Sequence, residues 1–270
     1  MPYRHARWLV LSLFPLAAMA FWPNYLSQMA SAGMAFHAHG ITATLWLVLL
    51  AAQSWSIHHG AREWHRRTGI ASLLLFPLFL AGGAAIFVGM AQRYVEANTP
   101  FYQMYPARLA WLDIVGVGGI ALFYHQAMRC RHKVHVHAGY LLATATFLIP
   151  PIIGRLSPIL PGLSIAGPED FGKLMIGFQL ANGLTALIAL AIGLRSRKGQ
   201  PWFVAAALHV LAAVLFQTIG GWTVWENAYA RAADIPVVPF ALAAAIAGVA
   251  IGWSGWMSGR RKDPRGALLA

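Results

Sequence analysis

The sequence predicts an all-α polytopic membrane protein, a single helical bundle of about eight transmembrane helices with both termini cytoplasmic. Three observations carry this expectation. Of 270 residues, 59% are hydrophobic and only 10% charged, whereas a soluble domain carries about 25% charged residues. Apolar runs of about 20 residues recur along the whole chain, each long enough to cross a bilayer as a helix. Lys and Arg gather in alternate loops, as they do in segments held on the cytoplasmic side.

The first run, about 8–22, follows Arg4 and Arg7 and ends in Ala18-Met19-Ala20. That pattern suits a secretory signal and equally an uncleaved first span. The anchor is the expectation here, and the choice leaves the orientation of the rest unchanged. The second, about 36–57, runs into "SIHHGAREWHRR". The third, about 67–91, holds Pro77 and Gly82-Gly83, and the fourth, about 107–128, holds Asp113, "GVGG" and His125. The fifth, about 137–155, opens with "HAGY" and ends with Pro150-Pro151 and Arg155. The remaining three lie at about 171–194, 202–222 and 236–257. Small residues allow helices to approach closely, and Pro77 and Pro150-Pro151 are expected to kink their spans.

With this order, the inner segments hold Arg4, Arg7, Arg62, Arg66, Arg67, Arg129, Arg131, Lys133, Arg195, Arg197, Lys198, Arg260, Arg261, Lys262 and Arg265. Only Arg93, Arg108, Arg155, Lys173 and Arg231 fall on the outer side. The acids lean outward, with only Glu63 and Asp263 inside. The net charge of +12 therefore follows from cytoplasmic loops, and the expected partner is the lipid bilayer, not nucleic acid. Cys130 is the single cysteine, which excludes an internal disulfide or a cysteine metal cluster.

The eleven histidines sort unequally on this topology. His37 and His39 are outer. His5, His58, His59, His65, His132, His135 and His137 lie in or beside inner loops. His125 sits about one turn inside the fourth span, and His209 about 10 Å from the inner end of the seventh. About 30 Å of helix separates His39 from His59, so the outer pair and the inner group cannot share a metal. Imidazoles from different helices converging at the inner face would suit a haem, with two axial histidines, or a metal with three or more ligands. The candidate cofactor ligands are His58, His59, His65, His125 and His137, pairing His58 or His59 with His125, and His65 with His137. His132, His135 and His209 are further metal candidates. The plain alternative is that loop histidines are interfacial polar groups. Other polar residues inside the membrane are His39, Gln53, Asp113 and Gln179. Ionisable groups there are costly and mark function by default, as a small-molecule pocket or a proton entry site. Arg108, five residues before Asp113, is a candidate partner for it.

The stretches "HAHGITATLWLVLLAAQ", "HRRTG" and "HVHAGYLLATATFLIPPIIGR" resemble a group of uncharacterised bacterial multispan inner-membrane proteins. The resemblance covers about 35–155 and implies a multi-pass protein of the bacterial inner (plasma) membrane. A looser likeness is to the dihaem transmembrane cytochromes b that take electrons from ascorbate. It rests on the His-x-x-x-Gly spacing at His65–Gly69 and His135–Gly139, and it implies haem b. Those cytochromes need a histidine pair at each membrane side, and here the outer side offers only His37 and His39 on one helix end. Membrane di-iron hydroxylases also gather cytoplasmic histidines, but their His-x-x-His-His boxes are absent. The leading expectation is a redox protein binding haem b or a transition metal on its inner side, with a membrane redox partner or as a homo-oligomer. The competing class is a non-enzymatic transporter or assembly subunit, with Asp113 and His39 lining a path or a partner contact. No Gly-rich nucleotide loop, Ser-His-Asp order or His-Glu-x-x-His motif points to a hydrolase or ATP-driven pump.

Overall fold

The computed structural model describes residues 2–259. Arg260, Arg261, Lys262, Asp263 and Arg265, which enter the orientation argument, lie outside the described residues. Within them the chain is helical throughout, with no strand. Seven helical stretches are long and apolar enough to cross a membrane: Met34–His58, Arg62–Glu96, Pro106–Arg129, Val134–Ile159, Pro168–Arg195, Gln200–Gly221 and Val237–Ser258. The first expected span is the shorter helix α1, Ala6–Phe21. Its 16 residues reach about 24 Å, short of a hydrocarbon core of about 30 Å. Its flanks run alongside the next helix, Met34–His58. The Pro2 carbonyl lies 3.1 Å from His58 Nε2 at one end, and the Tyr25 hydroxyl 2.9 Å from His37 Nδ1 at the other.

The spanning helices α2 (Met34–His58) and α3 (Arg62–Glu96) form the first hairpin. A short helix α4 (Pro100–Met104) leads into α5 (Pro106–Arg129). The fifth span is broken into α6 (Val134–Ala143), a 3-10 stretch Thr144–Leu148, and α7 (Ile149–Leu156). The break has a chemical cause. Pro150 and Pro151 donate no backbone N–H, so the α-helical ladder cannot run through them. They sit instead in the first turn of α7, where a missing donor is no loss. Pro77, by contrast, stays inside a continuous α3. The chain ends with α8 (Lys173–Arg195), α9 (Gln200–Gln217), the short α10 (Thr223–Ala230) and α11 (Val237–Ser258).

The core joins α2, α3 and α5 to the broken span. Trp46 is fully buried, stacks on Phe79 at 5.5 Å, and donates from Nε1 to Thr144 Oγ1 at 3.0 Å. Tyr124 stacks on Phe76 at 4.1 Å and its hydroxyl bonds Ser72 Oγ at 2.8 Å. Helix α11 lies on α3 and α5 through glycines. A Cβ on Gly248 would meet Pro77 Cα at 2.7 Å, and one on Gly255 would meet the His125 carbonyl at 2.7 Å. The opposite face of α11, with Val238, Leu242, Ile246, Val249 and Trp253, is exposed, as a lipid-facing surface is. The result is a multi-pass bundle with two chemically different ends. One carries the Arg-rich and His-rich turns before α1 and after α2, α5 and α8. The other carries α4, α10 and the acidic loops.

Candidate functional site at the acidic end

The histidines of the basic end are mostly engaged by backbone. A carbonyl oxygen has two lone pairs and can accept a side-chain bond beside its helical one. His58 Nδ1 bonds the Ser54 carbonyl at 2.7 Å, and His59 Nδ1 the Trp55 carbonyl at 2.8 Å. Each is one turn back on α2. With Nε2 on the Pro2 carbonyl, both nitrogens of His58 are used. His137 reaches across to α5 and donates from Nδ1 to the Ala127 carbonyl at 2.8 Å. His132 and His135 are exposed. His125 is half-buried and, among the described residues, joins neither His58 nor His59. His209 is buried against Thr146 Oγ1 at 3.0 Å and the Phe147 ring. It thereby ties α9 to the 3-10 break.

The imidazoles of His65 and His137 lie within electrostatic reach of each other, and His65 Nδ1 is buried without a hydrogen-bond partner. Among the described residues no group of three or more His, Cys, Asp or Glu side chains is placed to hold a metal ion. Two polar residues expected as site members are ties between helices instead. Gln53 donates to the His65 carbonyl at 3.1 Å and to Thr68 Oγ1 at 2.8 Å, joining α2 to α3. Gln179 donates to the Ala213 carbonyl and to Gln217 Oε1, both at 3.0 Å, joining α8 to α9.

The other end is different. His39 on α2, Asp113 on α5 and Arg155 on α7 converge, with Arg155 interacting electrostatically with both. Each is surrounded by protein yet remains partly accessible to a water-sized probe. The three side chains thus share a partly accessible region at this end of the bundle, termed the recess. The Arg155 guanidinium sits among aromatic faces, 4.8 Å from the Phe21 ring, 5.9 Å from Phe101 and 6.0 Å from Phe178. Such faces favour a cation through their ring quadrupoles. The position depends on a close approach of α7 to α8. A Cβ on Gly154 would collide with the Phe178 ring, and one on Gly177 with Ser157.

Hydrogen bonding in the recess is left open. A guanidinium has five N–H donors. Among the described residues Arg155 uses one bond, Nη1 to the Pro151 carbonyl at 3.0 Å. The ion pairs within 4 Å among those residues are Arg67–Glu63, Arg93–Glu96 and Lys173–Asp170, so Arg155 and Asp113 face each other across a wider gap. His39 Nδ1 is buried with no partner. In the same half of the bundle, Trp111 Nε1 and Asn182 Oδ1 are also buried without one. Arg108, expected to pair with Asp113, turns away and donates to the carbonyls of Phe216 and Gln217 at 3.2 and 3.4 Å. Beside the recess, the Tyr105 hydroxyl bridges the Phe171 carbonyl and the Met175 N–H. Burial raises its pKa above the usual tyrosine range, so it stays a donor.

The sequence marked His39 and Asp113 as polar residues inside the membrane, but Arg155 only as an outer cation at the end of a span and of a quoted motif. Its signal was present: an arginine in "IPPIIGR", at the end of an apolar span, where a charge is costly. Comparison with family models, curated proteins and solved structures gives no match.

Proposed function

We propose that the chain is a multi-pass protein of the bacterial inner membrane, both termini cytoplasmic, that binds a small amphipathic molecule in the Arg155–Asp113–His39 recess as a transporter does. One observation carries this reading: the guanidinium and carboxylate face each other inside the bundle without closing into an ion pair. Burying charge is expensive unless it is paired and hydrogen-bonded. A gap flanked by unused donors and an acid suits a ligand that presents an anionic group to Arg155 and a donor to Asp113. The partly exposed phenyl faces of Phe21 and Phe101 suit an apolar body. Ligand sites of this kind join mostly apolar walls to a few polar groups.

Isothermal calorimetry on the protein in nanodiscs tests it, with benzoate, phenethylamine and phenylalanine as probes. Benzoate and phenylalanine should bind, and Arg155→Lys should weaken both, since Lys lacks the planar fork. Asp113→Asn should weaken phenylalanine more than benzoate. Binding of all three probes unaltered by either substitution would remove the recess from the function.

A second reading rests on the His65–His137 pair, as a site for haem b or a transition metal. His137 fits a ligand's role, because donating Nδ1–H to the Ala127 carbonyl leaves the Nε2 lone pair free, as in ligating histidines generally. The buried, unpartnered Nδ1 of His65 is the second nitrogen. A haem held there would carry single electrons, with a membrane redox partner or a second copy of the chain to exchange them. A Soret band in the purified protein, lost in both His65→Ala and His137→Ala, is the expected result. A colourless, metal-free preparation ends this reading and leaves the first untouched.

A further inference from the structure

The basic end holds a feature that neither reading uses. A cavity of about 320 Å³ opens between the start of α1 and the end of α2, lined by Arg4, Arg7, His58 and His59. Against it lies an apolar groove of about 510 Å³ between the same two helices. The two share Arg7 and His59 and so adjoin each other. Trp8 and Leu11 on α1 and Val48 and Trp55 on α2 wall the groove, with Ala51 and Ala52 as its floor. All four walls are exposed, as a surface facing lipid would be.

The chemistry of the two halves differs sharply. Arg4 and Arg7 have no acidic partner among the described residues, where every ion pair lies elsewhere. Arg7 packs its guanidinium over Trp8 at 5.1 Å and places Nη1 3.5 Å from His59 Nδ1. His59 is held by stacking on Trp55 at 5.0 Å. His58 spends both nitrogens on carbonyls and serves as wall. It also anchors Pro2, two residues before Arg4. From His59 to Val48 the groove follows α2 for about 16 Å, and it carries no charge beyond Arg7.

A cationic cup opening into an apolar trough at the cytoplasmic boundary matches one molecule in two parts. We propose that this site binds an anionic phospholipid of the inner leaflet, the phosphate between Arg4, Arg7 and His59 and one acyl chain between Trp8 and Trp55. Basic pockets between helices on the cytoplasmic side hold anionic headgroups through charge and hydrogen bonds. A soluble phosphate would satisfy the cup alone and leave the trough unused.

Native mass spectrometry of the full chain, released from nanodiscs containing phosphatidylglycerol and phosphatidylcholine in equal parts, tests the assignment. The protein should retain phosphatidylglycerol about tenfold over phosphatidylcholine. Arg4→Gln with Arg7→Gln should abolish the preference. Ala52→Trp, which fills the trough and leaves every charge in place, should also release the lipid. Inorganic phosphate at millimolar concentration should not displace it. Equal retention of the two lipids overturns the proposal, as does full displacement by phosphate, which would make the cup a soluble-anion site. Unaltered retention in Ala52→Trp overturns the acyl-chain placement. Circular dichroism checks that each variant folds, and Arg7→Lys, which keeps the charge, should retain most of the preference.

Discussion

Gln53 and Arg155 are both polar side chains set within apolar helices, and the bundle treats them in opposite ways. Gln53 is buried on α2 and gives its amide hydrogens to the His65 carbonyl and Thr68 on α3. Arg155 uses one bond, to its own helix, and faces Asp113 and His39 across a gap. His209, paired with Thr146, belongs with Gln53. A polar group that is satisfied on a neighbouring helix holds the bundle together. One left unsatisfied at similar depth costs stability and calls for an explanation, and the proposed ligand supplies one. The contrast sets polar residues that tie helices together apart from those left open.

Substitutions should follow the same division. The largest loss is expected outside both groups, at Trp46→Ala. That side chain is fully buried, stacked on Phe79 and bonded to Thr144, and emptying its site should cost about 3–5 kcal/mol. His209→Leu should cost less, about 1–3 kcal/mol, because it leaves the buried Thr146 hydroxyl without its interhelical partner. Gln53→Leu should cost about 1 kcal/mol, two interhelical hydrogen bonds at the modest values found in membranes. Reversible unfolding in mixed micelles measures all three. A Gln53→Leu loss as large as that of Trp46→Ala would break the ranking, and with it the distinction between packing and polar ties.

The spans were legible because the bilayer demands length and apolarity, and both can be read residue by residue. The interruption at Thr144–Leu148 followed from Pro150 and Pro151, though a kink was expected and a change of helix type is found. The histidines of the basic end were harder to read. Their clustering suggested imidazoles pointing at one another, yet His58 and His59 fold back onto carbonyls of their own helix. A ring nitrogen one turn beyond a carbonyl with a spare lone pair finds it locally, and no long-range pattern announces that. Among the described residues, His65 and His137 lie within electrostatic reach of each other across helices. At the acidic end, Asp113 and His39 were visible as charge and imidazole in apolar surroundings. For Asp113 the sequence offered Arg108 as a candidate partner because it is near in sequence. The observed one, Arg155, is brought in by the proline break and the glycine contacts of α7 with α8, and tertiary packing of that kind has no local signature.

The smallest loss of stability is expected where the charges are greatest. Removing Arg155 alone would strand Asp113, and removing Asp113 alone would strand the guanidinium, so either single change mixes two effects. The double variant Arg155→Leu with Asp113→Leu removes both together and replaces them with side chains that suit the surrounding phenyl rings. Buried ion pairs exchanged for apolar residues of similar size are often neutral or stabilising. Here the starting arrangement does not even close the pair within 4 Å. The ligand-free double variant should therefore unfold at or above the wild-type midpoint, while benzoate binding disappears. Stability gained together with binding lost is the signature of a site kept open for a ligand. A loss as large as that of Gln53→Leu would instead place Arg155 and Asp113 among the groups that hold the helices together, and the contrast between the two kinds of buried polar residue would fail at its most charged example.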